Sequence, residues 1–255
     1  MEEKTLSTSQ RVSNRYIKTI IFLGINEVGK TSIIKALTKH KYQLTYQPTI
    51  CVNYSEKEFI LSPTETLYFC IWDTNGLEIE THILSTAIYK RADYFILVLS
   101  YDNLSSLDTL SQYINFINTK QSDKKVPICV IINKKDIQDK QFKQTDVIKH
   151  LERLSGGNAK INISEITCKD ALKVEKLFTI IGYELCGIKI PKGIINSPKQ
   201  SRSKSNKGSS DDKHNDDKSK TLVSLRNSFR IEEGDKMVNG ILNLSNDEIK
   251  KKKCC

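Results

Sequence analysis

Three short stretches of this chain carry residue types at spacings that do chemistry. Gly24-Ile25-Asn26-Glu27-Val28-Gly29-Lys30-Thr31 fits the pattern G-x-x-x-x-G-K-[ST]. When such a loop leaves a strand and opens a helix, its backbone N–H groups converge on phosphate oxygens and the helix N-terminus adds a favourable dipole. Lys30 then reaches the outer phosphates, and Thr31 offers a hydroxyl to Mg²⁺. The second stretch, Asn133-Lys134-Lys135-Asp136, contains N-K-x-D. A carboxylate at Asp136 accepts two hydrogen bonds from the N–H donors on the pyrimidine edge of guanine. Adenine lacks that donor pair and leaves the carboxylate unpartnered, which is costly. Asn133 holds the loop and the base, and Lys134 lays its methylenes along the ring face. Alone, such a turn is an ordinary surface turn; roughly 100 residues after a phosphate loop and directly behind an apolar strand, it selects guanine. The third stretch is the end of the chain, Lys250 to Lys253 followed by Cys254 and Cys255.

These stretches need a scaffold, and the hydropathy pattern describes one. Apolar, β-branched runs predict strands over 16–23, 50–61, 66–72, 94–100, 126–132 and 160–164. The second and third form an antiparallel pair around a Ser62-Pro63 turn. Helical spacing covers 30–41, 104–119, 146–154 and 171–187, and 78–91 reads as a mobile loop running into a helix. Alternating strands and helices imply an α/β fold with a mainly parallel sheet covered on both faces. Ligands bind such sheets beyond the carboxyl ends of the strands. The loops 24–31, 73–76 and 133–136 all follow strands.

The 255-residue chain carries a net charge of +10. Its composition shifts near residue 196 to polar, aromatic-free sequence, SPKQSRSKSNKGSSDDKHNDDKSK. Such a stretch buries too little apolar area to offset its ordering entropy. We expect a flexible extension over 1–13, one folded domain over 14–190 and a disordered basic tail over 191–255. That tail holds 15 basic and 9 acidic residues, so six of the ten net charges lie in it. No signal peptide opens the chain, and no apolar run reaches the ~20 residues that span a bilayer. Cys51, Cys70, Cys129, Cys168 and Cys186 lack metal-ligand spacing, and Cys70 and Cys129 read as small core residues. A reduced, cytoplasmic protein is expected.

Across residues 16–188 the order and spacing of these motifs resemble the Ras superfamily of small GTPases, which implies its six-stranded P-loop fold, GTP and GDP as ligands, and Mg²⁺. The resemblance implies nucleotide contacts from Gly24, Asn26, Glu27, Val28, Gly29, Lys30, Thr31, Ser32 and Tyr46. Glu165-Ile166-Thr167-Cys168-Lys169 is similar to the base-binding loop E-T-S-A-K, in which the Cys168 N–H would meet the guanine carbonyl, and Tyr42 sits where the family has an aromatic residue beside the base. Tyr46-Gln47-Pro48-Thr49 resembles switch I, giving Thr49 to Mg²⁺ and its backbone to the γ-phosphate. Trp72-Asp73-Thr74-Asn75-Gly76 resembles the D-x-x-G of switch II, with Asp73 holding Mg²⁺ through water and the Gly76 N–H bonding the γ-phosphate. On that reading Lys30, Thr49 and Gly76 carry catalysis. Loss of the γ-phosphate releases both loops, which makes a switch.

Within the superfamily the Rab branch is the nearest likeness. Trp72 precedes the aspartate, Thr49-Ile-Cys-Val-Asn-Tyr54 resembles T-I-G-V-D-F, and Ile88-Tyr-Lys-Arg-Ala-Asp93 resembles Y-Y-R-G-A-D. The Rab effector triad would be Tyr54, Trp72 and Ile88. The Cys254-Cys255 terminus resembles a double prenylation site. Two lipid chains anchor stably, and Lys250 to Lys253 add about 1 kcal/mol each at an anionic surface. The implied partners are effectors through the switch regions, an exchange factor, the prenylation and extraction machinery and an anionic membrane, with no nucleic acid. The implied location is the cytoplasmic face of an intracellular or plasma membrane.

Departures from the family pattern bear on turnover. Leu77 stands where the family has the glutamine that orients the attacking water. Leucine neither donates nor accepts, so positioning and electrostatic help are lost. Asn26 and Glu27 replace small residues, Asn75 replaces alanine, and switch II is one residue longer. His82 is a solvent-facing histidine or a stand-in for the glutamine. We expect slow GTP hydrolysis and a bias towards the GTP form in a vesicle-traffic switch. A hydrolysis-deficient GTP-binding adaptor is the second reading. An ATP-dependent kinase or motor is disfavoured by Asn133 and Asp136.

Overall fold

A computed structural model describes residues 13–39, 48–81, 84–121, 124–154 and 160–195. The expectations for the N-terminal extension, most of the tail, Tyr42, Tyr46, His82, Lys250 to Lys253, Cys254 and Cys255 lie outside the described residues.

Six strands form one sheet in the order β2-β3-β1-β4-β5-β6. They are β1 (Asn14–Leu23), β2 (Asn53–Ser62), β3 (Glu65–Asp73), β4 (Tyr94–Ser100), β5 (Ile128–Asn133) and β6 (Ile161–Glu165). Only the β2–β3 pair is antiparallel, with Tyr54 opposite Trp72 and Phe59 opposite Leu67. All other pairs are parallel. The mainly parallel sheet and its antiparallel edge hairpin are as the sequence implies. β2 starts at Asn53 and not at Ile50, which is exposed and has no strand partner to bury it. β5 starts at Ile128, behind Pro127, whose nitrogen has no proton to give a ladder.

The helices are α1 (Lys30–Lys39), α2 (Glu78–Thr81), α3 (Thr86–Arg91), α4 (Leu104–Asp108), α5 (Leu110–Lys120), α6 (Gln144–Arg153), α7 (Ala171–Leu185) and α8 (Lys192–Ile195). The single helix expected over 104–119 is divided at Thr109, whose hydroxyl donates back to the Ser105 carbonyl at 3.0 Å. Such back-bonding from a threonine competes with the helical ladder. The segment 78–91, expected as a mobile loop running into a helix, ends in the helix α3 as expected, but its start forms a further short helix, α2, which turns a buried glutamate inward.

The all-buried strands β4 and β5 explain why the apolar runs do not alternate with polar residues. Ile96, Val98, Cys129 and Ile131 face one side, packing with Ile33 and Leu37 of α1 and Phe178 and Ile181 of α7. Phe95, Leu97, Val130 and Ile132 face the other, packing with Leu110 and Ile114 of α5 and Val147 and Leu151 of α6. A strand covered on both faces must be apolar throughout. Phe22 and Phe178 stack with ring centroids 5.8 Å apart, tying α7 to the central strand. This rigid double-sided core fixes the carboxyl ends of β1, β3 and β5, where the three chemical loops emerge, and of β6, which leads into 165–169. No helix among the described residues is long and apolar enough to cross a membrane.

Candidate nucleotide site

The loop between β1 and α1 is held open by backbone geometry that its sequence permits. Gly29 has φ +96°, and a Cβ there would lie 2.2 Å from Asn133 Nδ2. Glycine is therefore required twice over, for the torsion and for the approach of β5. The first α1 backbone bond runs from Ile33 N–H to the Gly29 carbonyl (3.0 Å), which leaves the N–H groups of Thr31 and Ser32 facing the open end of the helix. The Lys30 side chain folds back over the loop and donates to the Gly24 carbonyl (2.5 Å) and the Ile25 carbonyl (3.0 Å). Burial lowers the Lys30 ammonium below the usual lysine range, opposed by the nearby Glu78 and Asp73 carboxylates. Asn26 and Glu27 project from the loop and are exposed, and Val28 is buried beneath it.

Three side chains with oxygen donors, from α1, the segment before β2 and the end of β3, meet beside this loop. Thr31 Oγ1 donates to Asp73 Oδ2 at 2.7 Å and lies 2.9 Å from Thr49 Oγ1. Asp73 is almost fully buried, yet its Oδ1 has no hydrogen-bond partner among the described residues. Burial pushes the Asp73 carboxyl up, while the Thr31 hydrogen bond and the Lys30 charge pull it down. Two hydroxyls and an orphaned carboxylate oxygen at one point are the hard oxygen donors that Mg²⁺ takes. The donor set fits the ion, and Thr31, Thr49 and Asp73 would hold it.

The far side of the site is built around Asn133, which is fully buried at the end of β5. Its Nδ2 donates to the Val28 carbonyl (3.0 Å), and its Oδ1 accepts from the Cys168 N–H (3.2 Å). One amide thus staples the phosphate loop to the loop after β6. Replacing Asn133 by alanine leaves two buried backbone groups unpartnered, at about 1–3 kcal/mol each. The expected result is a loss of roughly 2–4 kcal/mol in denaturant unfolding of the nucleotide-free protein, where ligand binding does not contribute.

Lys134 adopts φ +58° and its Nζ pairs with Asp102 Oδ2 at 2.7 Å. Asp136 accepts from Lys169 Nζ at 2.6 Å. Burial pushes the Asp136 carboxyl up, but hydrogen bonds from Lys169 and Thr167 outweigh it and hold the group below its ordinary value. Asp136 is thus an ionised acceptor at the mouth of the site.

Switch II lies directly on the phosphate loop. Gly76 has φ +94°, and a Cβ on it would fall 2.2 Å from Asn26 Oδ1 and 2.6 Å from Asn26 N. Its N–H donates to Glu78 Oε1 at 2.9 Å. Leu77, which follows Gly76, is 39% exposed and belongs to neither hydrophobic core cluster. On the neighbouring sheet face, Tyr54 and Trp72 pack with centroids 5.2 Å apart, and Ile88 packs partly buried against the same core as Trp72.

The structure therefore gathers Lys30, Thr31, Thr49, Asp73 and Gly76 at one end of the site and Asn133, Asp136, Cys168 and Lys169 at the other. Three participants were missed in the sequence. Glu78 and Tyr113 act only through the tertiary fold, and Asp102 follows β4 without a motif of its own. The signal for Glu78 was an acidic residue two positions behind the glycine of D-x-x-G.

A parallel sheet with a glycine-lysine loop, a hard-oxygen cluster and a carboxylate at the base position defines a nucleotide-binding P-loop protein. A family model described as the Ras family matches residues 19–186, about two thirds of the chain, and the chain belongs to that family. It is a distantly Rab-like GTP-binding switch. It is 27% identical over 165 residues to the Ypt/Rab-type GTPase ypt7 of Pyricularia oryzae, covering 64% of this chain and 78% of the relative. It is 27% identical over 172 residues to the ypt7 of Schizosaccharomyces pombe, covering 66% and 81%. With the Ras-related protein RabZ of Dictyostelium discoideum it shares 23% over 180 residues, covering 70% and 76%.

Proposed function

We propose that this chain is a slowly hydrolysing, lipid-anchored Rab-like switch that recruits effectors to a membrane in vesicle traffic. The observation that carries the slow turnover is Leu77 behind Gly76, at the edge of the phosphate loop and with no polar atom to offer an attacking water. Hydrolysis requires water to form a bond to the γ-phosphorus as the bond to the bridging oxygen of GDP breaks. Lys30 and the Gly76 N–H hold the γ-phosphoryl oxygens as charge develops on them, and Thr49 closes switch I over them. Mg²⁺ supplies charge neutralisation across the outer phosphates. Asn26, pressed on Gly76, narrows the approach to that phosphate.

Tyr54, Trp72 and Ile88 form the effector surface, and exchange factors act where switch II meets the phosphate loop. Attachment rests on Cys254 and Cys255 with Lys250 to Lys253, by the arithmetic of two lipid chains plus a basic run. The Rab-type names of the relatives support vesicle traffic as the setting. Leu77 also keeps the second reading in view, a GTP-binding adaptor with no useful turnover. Single-turnover hydrolysis of bound GTP tests the proposal. The expected rate is measurable and below about 10⁻⁴ s⁻¹, under the intrinsic rate of a typical small GTPase that retains the glutamine. A rate equal to or above such an enzyme defeats the slow reading, and no detectable turnover selects the adaptor.

A further inference from the structure

Glu78 is fully buried, although it carries a carboxylate and lies in a four-residue helix next to the phosphate loop. Donors from three directions hold it. The Gly76 N–H donates to Oε1 at 2.9 Å, and the Tyr113 hydroxyl donates to Oε2 at 3.0 Å. The Thr74 hydroxyl gives its single proton either to Glu78 or to the Phe22 carbonyl at 2.7 Å. Tyr113 belongs to α5 and has its own side chain buried; its hydroxyl also lies 3.4 Å from the Gly76 carbonyl, so its single proton goes to the nearer Glu78 Oε2 or to Gly76, and it braces both partners of the contact.

We propose that Glu78 is an internal anion that competes with the γ-phosphate for the Gly76 N–H, and that Tyr113, by anchoring Glu78, sets this chain's preference between nucleoside diphosphate and triphosphate. The inference rests on the assignment of the Gly76 N–H to the γ-phosphate made above. A carboxylate and a phosphate oxygen are equivalent acceptors for an amide N–H, and both bonds are charge-assisted. One N–H serves one of them. Gly76 is already seated against Asn26 of the phosphate loop, so changing partner needs a turn of the peptide and not a journey of the whole segment. When Gly76 leaves for the γ-phosphate, Glu78 loses a donor inside a buried site, and that loss is charged against triphosphate binding alone. A ligand shifts a two-state segment only by its differential affinity for the two states, and the Glu78 contact reduces that difference. In a switch with slow hydrolysis, this contact supplies a bias to the off state that turnover does not.

An ordinary helix-start carboxylate explains less. Such groups are solvated, and they do not recruit a buried tyrosine 35 residues away.

The test uses the full chain, stripped of nucleotide and titrated with fluorescent GDP and a non-hydrolysable GTP analogue. Tyr113→Phe keeps the packing and removes the hydroxyl that braces Glu78 and, at longer range, the Gly76 carbonyl. It is expected to tighten the analogue about three- to tenfold, with GDP affinity unchanged within about twofold. Glu78→Gln, a weaker neutral acceptor for Gly76, moves the ratio in the same direction. Unchanged GDP affinity reports that each variant is folded. An unaltered ratio, or an equal change for both nucleotides, overturns the proposal. The amide resonance of Gly76 separates the two layers. If it moves when the analogue replaces GDP in the parent protein and Tyr113→Phe leaves the ratio unaltered, the competition fails and the Gly76 assignment stands. If it does not move, the assignment falls and the competition falls with it.

Discussion

Replacing Asp136 by alanine lowers the affinity for GTP by about 100- to 1,000-fold and leaves the weak affinity for ATP where it was. Two charge-assisted hydrogen bonds to the guanine edge disappear, each worth about 1.5–3 kcal/mol. The lower half of that range applies, because the Asp136 side chain keeps about a third of its surface in water (31%) and solvent screens part of the interaction. Adenine offers no matching donor pair, so ATP has nothing to lose. The fold does not stand in the way of this measurement. The partner left behind, Lys169, is 55% exposed and returns to water, so the variant stays folded. Competition of GTP and ATP against a fluorescent guanine nucleotide reads the ratio directly. A GTP-to-ATP ratio equal to that of the parent protein removes Asp136 from the base site and with it the physical ground for guanine selection.

What was legible in the sequence follows from where the information sits along the chain. The β1 run, the glycine-lysine loop and the start of α1 are contiguous, and each is dictated by local rules: apolar β-branched residues, a torsion only glycine adopts readily, and a hydroxyl at the helix start. The same holds for β5 running into Asn133 and Asp136. These segments carried both the fold class and the core of the site. The division of the 104–119 helix at Thr109 was not legible, because it depends on one hydroxyl bonding its own backbone. The helix at the end of 78–91 was expected, but the short α2 at its start was hidden for a different reason. Glu78 is polar and reads as a loop residue until Gly76, Thr74 and Tyr113, the last from another helix, bring their donors to it. Asn133 shows the same limit from the other side. Its place in N-K-x-D was visible, but its role as the link from Val28 to Cys168 emerges only when β1, β4, β5 and β6 are ranged in one sheet. Local pattern thus located the groups that bind, and tertiary assembly decided the groups that hold them.

Restoring an amide at the glutamine position raises hydrolysis. For Leu77→Gln the expected gain is about 10- to 100-fold in the single-turnover rate, somewhat less than the effect of a fully preorganised transition-state donor. The substitution is structurally cheap, since Leu77 is 39% exposed and contributes little to the core. Affinity for GTP and GDP should stay within about twofold, because the side chain acts on the water and not on the phosphates. Asn26 keeps the gain below its ceiling. Its carboxamide presses on Gly76, where it crowds the γ-phosphoryl group and the incoming water. Asn26→Gly alone relieves the crowding without supplying an orienting amide and gains little. The two changes share one site, so the double variant should exceed the product of the single effects. A Leu77→Gln rate no faster than that of the parent, with nucleotide affinity intact, means that residue 77 does not limit the step. The slow-switch reading then loses its physical cause, whatever the absolute rate.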